Sequence, residues 1–113
     1  MPYSINGQEA AISEPDLQDG TLYVPVRGVI DMLGGNVDWD ADNRVAVAYL
    51  GDNIVTLKEG DPTADVNGEK SELQAAPHLK DGEMWVPVRF FNLIGQQVAV
   101  NLESKQVDLT SNA

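Results

Sequence analysis

Two nine-residue stretches decide the reading of this chain: Asp19-Gly20-Thr21-Leu22-Tyr23-Val24-Pro25-Val26-Arg27 and Asp81-Gly82-Glu83-Met84-Trp85-Val86-Pro87-Val88-Arg89. They lie 62 positions apart. Asp-Gly, Val-Pro-Val-Arg and an aromatic two places before the proline recur in register. The correspondence runs outward from there. Upstream, Ser4-Ile5-Asn6-Gly7 answers Asp65-Val66-Asn67-Gly68, and Pro15 answers Pro77. Downstream, Leu33-Gly34 and Val37 answer Ile94-Gly95 and Val98, the second copy being one residue shorter after its arginine. Self-similarity at a fixed period marks a repeated structural unit. The half-units cover about residues 3–50 and 63–110 within a single domain, 1–113.

Each unit reads the same way. Asn-Gly at 6–7 and 67–68 is a hairpin turn, because both central residues of a type I′ turn need positive φ. Asp-Gly at 19–20 and 81–82 marks a second turn. The runs Thr21 to Val24 and Glu83 to Val86 are short and rich in strand formers. Pro25 and Pro87 cannot donate to a ladder, so each strand should end there or lie at an edge. Val26, Val29, Ile30 and Leu33 then fall at helical spacing, with Gly34 as the stop. Val88, Phe91 and Ile94 before Gly95 predict a second, shorter helix. Each helix leads into a hairpin, Val37 to Tyr49 and Val98 to Leu109. Between the units, Ile54-Val55-Thr56-Leu57 is a further strand. The fold class is α+β: a mostly antiparallel β-sheet with two short α-helices covering one face.

Composition bounds the function. The 113 residues are 42% hydrophobic and 22% charged, as in an ordinary globular domain. Eighteen acidic residues against seven basic give a net charge of −11, which repels phosphate backbones and anionic lipid. Nucleic acid and membrane insertion are therefore not expected. No apolar run approaches the roughly 20 residues of a membrane span. There is no cysteine and one histidine, His78. This leaves no thiolate chemistry and no histidine cluster. The first residues, Met1-Pro2-Tyr3-Ser4-Ile5, show no signal-peptide pattern, so the cytosol stays open as a compartment.

Gly-Thr-Leu-Tyr-Val-Pro-Val-Arg, a helix ending in Leu-Gly-Gly, and Val-Asp-Trp-Asp together resemble the copper amine oxidase N-terminal (stalk) domain family. Met84-Trp85-Val86-Pro87-Val88-Arg89 followed by Ile94-Gly95 is similar to it as well, and so is the linking stretch Gly60 to Gly68. The resemblance covers nearly the whole chain. It implies a non-catalytic accessory module of a bacterial secreted or cell-envelope protein, acting as spacer, docking or assembly surface. It also implies no copper or quinone in this domain. The second copy departs from the family pattern, having Asn92 and Leu93 where an acidic residue is common and Val100-Asn101 where Trp-Asp is usual.

Candidate sites follow from the residues. Pro25, Arg27, Gly34, Pro87, Arg89 and Gly95 form the repeated structural motif, and Arg27 can pair with Asp31 one turn on. Tyr23 and Trp85 occupy matching positions and are the candidate ligand-binding aromatics; exposed, they would stack cell-wall glycan. Trp39 is expected in the core. Asp38, Asp40 and Asp42 alternate as calcium-loop carboxylates do, but Asn43 stands where the loop glycine belongs and Tyr49 where its bidentate Glu belongs. A weak calcium-binding structural domain is thus one alternative, and a glycan-binding module the other. No enzyme activity and no cofactor are expected. The expected partners are another protein or a second copy, meeting an uncharged strand edge beside Pro25 and Pro87.

Overall fold

The computed structural model describes residues 3–111. The Asp-Gly turns organise its centre. Asp19 and Gly20 have φ of 50° and 80°, and Asp81 and Gly82 of 53° and 79°, the two left-handed residues a type I′ hairpin requires. They join β3 (Asp16–Gln18) to β4 (Thr21–Pro25) and β10 (His78–Lys80) to β11 (Glu83–Pro87). The four strands make one sheet in the order β10-β11-β4-β3. At its middle β4 and β11 run antiparallel, with Val24 opposite Val86, Tyr23 opposite Pro87 and Pro25 opposite Trp85. Val24 and Val86 hold the same place in the two quoted stretches. Both prolines are the last residues of their strands, so neither interrupts the ladder. They are not at an edge: each of these strands has a neighbour on both sides.

Helix α1 (Val26–Met32) starts directly after Pro25, which holds φ −74° and ψ 126° as its N-cap. Val26, Val29 and Ile30 are buried. The helix ends in a Schellman motif: Gly34 N–H donates to the Asp31 carbonyl at 3.1 Å and Gly35 N–H to the Ile30 carbonyl at 2.8 Å. Gly34 takes φ +91°, open to glycine at little cost. The second helix, Val88–Ile94, is 3-10 rather than α. Its buried Val88, Phe91 and Ile94 are three apart, and three residues per turn puts all of them on one face. The copy shorter by one residue thus winds tighter.

The hairpins build two more sheets. One has the order β5-β6-β7-β8-β9, from β5 (Asn36–Asp40), β6 (Val45–Leu50), β7 (Asn53–Lys58), β8 (Thr63–Val66) and β9 (Glu69–Glu72). The other has the order β12-β13-β1-β2, from β12 (Gln96–Asn101), β13 (Gln106–Ser111), β1 (Tyr3–Ile5) and β2 (Gln8–Glu9). Here Tyr3, Ser4 and Ile5 pair in parallel with Val107, Asp108 and Leu109. That is the parallel ladder in an otherwise antiparallel set of pairings. The first strand therefore completes the sheet of the last hairpin.

Side chains alternate across the central sheet. Leu22, Val24, Met84 and Val86 enter the main core with Val29, Ile30, Phe90, Phe91, Leu57 and Val107. Tyr3 is fully buried and its hydroxyl donates to the Ser13 carbonyl at 2.8 Å. Burial pushes its phenol well above the usual range, and the negative charges of Glu83 and Glu14 push the same way.

Candidate functional site

Tyr23 and Trp85 project from the other face of the central sheet, and they are buried there, at 8% and 3% exposure. A stacking platform for sugar needs open rings, so the glycan reading falls. Their surroundings show what they do instead. The Tyr23 ring meets His78 edge-on with centroids 4.6 Å apart. Trp85 Nε1–H donates to the Lys80 carbonyl at 3.3 Å, and Lys80 Nζ lies 4.9 Å from the indole centroid. Lys80 also pairs with Asp16 at 3.4 Å. The Gln18 amide, and then Lys80 and His78, hold the Asp16 carboxyl below its ordinary range. Pro15 and Pro77 are buried too. His78 is half-buried, with its Nε2 enclosed and unpartnered among the described residues. These residues form a small second core on the outer face of the sheet.

Trp39 departs in the opposite sense, being 37% exposed at the rim of a small cavity. It faces Ala46 across the hairpin. Alanine is too small to cover an indole, so alternation puts Trp39 on the inner face without enclosing it.

The two arginines, each expected to tie a neighbouring carboxylate or strand carbonyl, differ. Arg27 is exposed and, among the described residues, makes neither hydrogen bond nor ion pair; the pairing with Asp31 does not form. Arg89 is exposed, and its Nη1 reaches the Val98 carbonyl at 3.5 Å, the outer limit of a hydrogen bond. Each guanidinium stands beside a cavity. That of Arg27, about 70 Å³, is lined by Val26, Val37, Trp39, Ala46 and Met84. That of Arg89, about 280 Å³, is lined by Leu22, Gln74, Val88, Val100 and Leu102. Val26 and Val88, and Leu22 and Met84, hold the same places in the two quoted stretches, and Trp39 and Val100 correspond in the hairpins that follow, so the two cavities have similar walls.

The three aspartates do not converge. Asp40 Oδ1 accepts from the backbone N–H groups of Asp42 and Asn43 at 3.1 and 3.2 Å, and its Oδ2 from the Asn43 amide at 2.9 Å. The Asn43 side chain first, then the backbone N–H groups, hold its carboxyl below the usual range. The carboxylate caps a turn, as Asn101 does for Glu103 and Ser104 in the other hairpin. Sequence reasoning missed that match, although Asp40 and Asn101 are both residues that favour such turns. Among the described residues no three His, Cys, Asp or Glu side chains gather to hold a metal ion. Copper fits no better: with one histidine and no cysteine, the chain lacks the nitrogen and sulfur donors that a tight copper site draws on.

The class that emerges is an α+β domain with a shared central sheet, cavities at its arginines, and no group of metal-holding side chains among the described residues. The sequence profile described as "Copper amine oxidase N-terminal domain" matches residues 4–109. The chain belongs to that family. It is 33% identical over 110 residues to "Protease inhibitor" of Brevibacillus choshinensis, covering 95% of this chain and 33% of that protein. It is 30% identical over 73 residues to "Primary amine oxidase" of Klebsiella aerogenes, covering 65% of this chain and 10% of that protein. The chain thus spans about a third of one relative and a tenth of the other.

Proposed function

We propose that this domain is a non-catalytic accessory module that works by binding another polypeptide, in a secreted or cell-envelope protein. The observation that carries the reading is the family match over residues 4–109, to a domain that aligns with only a tenth of a primary amine oxidase. In the same reading the two halves are copies of one unit. The pairing of Val24 with Val86, 62 positions on, favours this, as do the matching cavities.

The test is to assay the purified domain for turnover of a primary amine with and without added Cu(II). The expected result is no turnover in either case. Turnover abolished by substituting one side chain would refute the reading. The location is checked by fractionating cells that make the full-length protein.

A second reading is favoured by the Brevibacillus relative, which aligns with nearly the whole chain. The polypeptide bound is then a protease. Residual activity of representative serine, cysteine and metalloproteases, measured with the domain in excess, separates the two: inhibition supports the protease, and its absence leaves the general docking role.

A further inference from the structure

A sheet edge is an unsatisfied row of backbone donors and acceptors, and proteins usually blunt it with charge, proline or shortness. Among the described residues, five of the six outer strands are blunted. β2, β3 and β10 are two or three residues long. β9 is charged at Glu69, Lys70 and Glu72, and β5 carries Asp38 and Asp40. β12 differs: Gln96-Gln97-Val98-Ala99-Val100-Asn101 is six residues with no charge and no proline. At the places matching Asp38 and Asp40 it has Ala99 and Asn101.

The register shows which groups are free. Asn6 N–H donates to the Leu109 carbonyl at 2.8 Å, so the Leu109 backbone faces β1. Val98, opposite Leu109, is then in a non-hydrogen-bonded pair, and its N–H and C=O point away from β13. By alternation those of Gln96 and Val100 do the same. The Arg89 guanidinium, 3.5 Å from the Val98 carbonyl, is the one group among the described residues that meets this row. Gln96 is buried, so the open part of the edge runs from Gln97 to Asn101, about 17 Å. Beside it lies the 280 Å³ cavity walled by Leu22, Val88, Val100 and Leu102, the last being 48% exposed.

We infer that β12 accepts an extended segment of a partner polypeptide as an added strand, with one apolar side chain of that segment seated in the cavity beside Arg89. Backbone pairing supplies the affinity and the cavity the selectivity, as in other strand-addition complexes. The net charge of −11 opposes a second copy and favours a neutral or basic partner. The inference rests on the docking reading and names its surface.

The test uses random octapeptides displayed on phage and selected against the domain, followed by amide exchange. Selected peptides should slow exchange at Val98 and Val100, whereas the ladder-bonded Ala99 is already protected. Val98→Pro removes an outward N–H without touching the β13 ladder and should weaken binding tenfold or more. Leu102→Asp puts a charge at the mouth of the cavity and should do the same; being half-exposed, it keeps the test valid if Val98→Pro does not fold. Failure to select any peptide tighter than about 100 µM overturns the proposal. Protection at another surface overturns it too, while leaving the docking reading in place. A dimer in sedimentation, with the Val98 and Val100 amides protected before any peptide is added, overturns the choice of occupant in favour of a second copy.

Discussion

Gly35 is where the helix of the first half meets its hairpin most closely. A Cβ there would lie 2.3 Å from the Tyr49 carbonyl oxygen and 2.8 Å from Ile30 Cγ2. Carbon and carbonyl oxygen rest at about 3.3 Å or more, so Gly35→Ala forces backbone to move by roughly 1 Å. The movement opposes the Gly35–Ile30 hydrogen bond that closes α1 and the Asn36–Tyr49 pairing that opens the hairpin. Overpacking of this kind costs about 1–3 kcal/mol, and backbone on one side places it near the top of that range. For a domain of this size the melting temperature should fall by about 10 °C. Two neighbours serve as controls. At Gly34 a Cβ meets nothing, and only φ +91° opposes it, so Gly34→Ala costs roughly 1 kcal/mol. At Gly28 the Cβ meets Ile12 Cγ2 at 2.8 Å, a branch methyl that yields only if the irregular segment carrying the partly buried Ile12 shifts, and the gain of about 0.5–1 kcal/mol from alanine in a helix offsets part of that cost. Thermal and urea unfolding followed by circular dichroism should rank the losses Gly35, Gly34, Gly28. A Gly35→Ala variant that melts within about 2 °C of wild type refutes the reasoning.

Tyr3→Phe should lose about 1 kcal/mol at neutral pH with the Ser13 hydrogen bond. The raised phenol favours the protonated form in the fold, so its stabilisation is complete below the unfolded value near 10 and is lost as pH rises above it. An alkaline titration of stability should flatten in the variant, and an unchanged alkaline limb contradicts the burial. Arg27→Ala should change stability by no more than about 0.5 kcal/mol in urea unfolding, because the guanidinium holds no partner among the described residues. For Asp40 the depressed carboxyl stabilises the fold above its unfolded value near 3.9, and that contribution fades as pH falls through the folded value. Asp40→Asn should therefore shrink the acid limb of the stability profile. Trp85→Ala should cost about 3–5 kcal/mol as a core truncation, and a variant that melts like wild type would return the indole to the surface.

The turns were legible because their chemistry is local. Asn-Gly and Asp-Gly demand two positive φ values, and residues 6–7, 19–20, 67–68 and 81–82 all take them. The stop at Gly34 was legible for the same reason. What the sequence hid was set at a distance. The parallel pairing of Tyr3 with Val107 joins residues from opposite ends of the chain, and no local pattern marks it. Alternation put Tyr23 and Trp85 on one face and Leu22, Val24, Met84 and Val86 on the other. It could not say that Pro15, Pro77 and His78 would cover the first face. Trp39 shows the converse: its face was readable, but its exposure depends on the size of Ala46 opposite. Arg27 and Arg89 recur in the sequence, yet recurrence carried no information on whether a partner would be in reach.

The cross-pairing of strands bears on where a binding surface can be. β4 pairs with β11 and β1 with β13, so neither half of the chain closes its own sheets. The aromatics that looked most like a ligand platform are consumed in holding the halves together. The two prolines, expected at an edge, sit at the seam between the halves. What is left to differ is the rim. There the two hairpins differ: the first has aspartates at 38 and 40 along its outer strand, and the second has none along β12. In a molecule with eighteen acidic residues, a six-residue strand without charge is a departure from its surroundings. Charge on an edge costs little and protects against unwanted pairing. Its absence at the β12 edge, next to the larger of the two arginine cavities, is what the strand-accepting site proposed above requires.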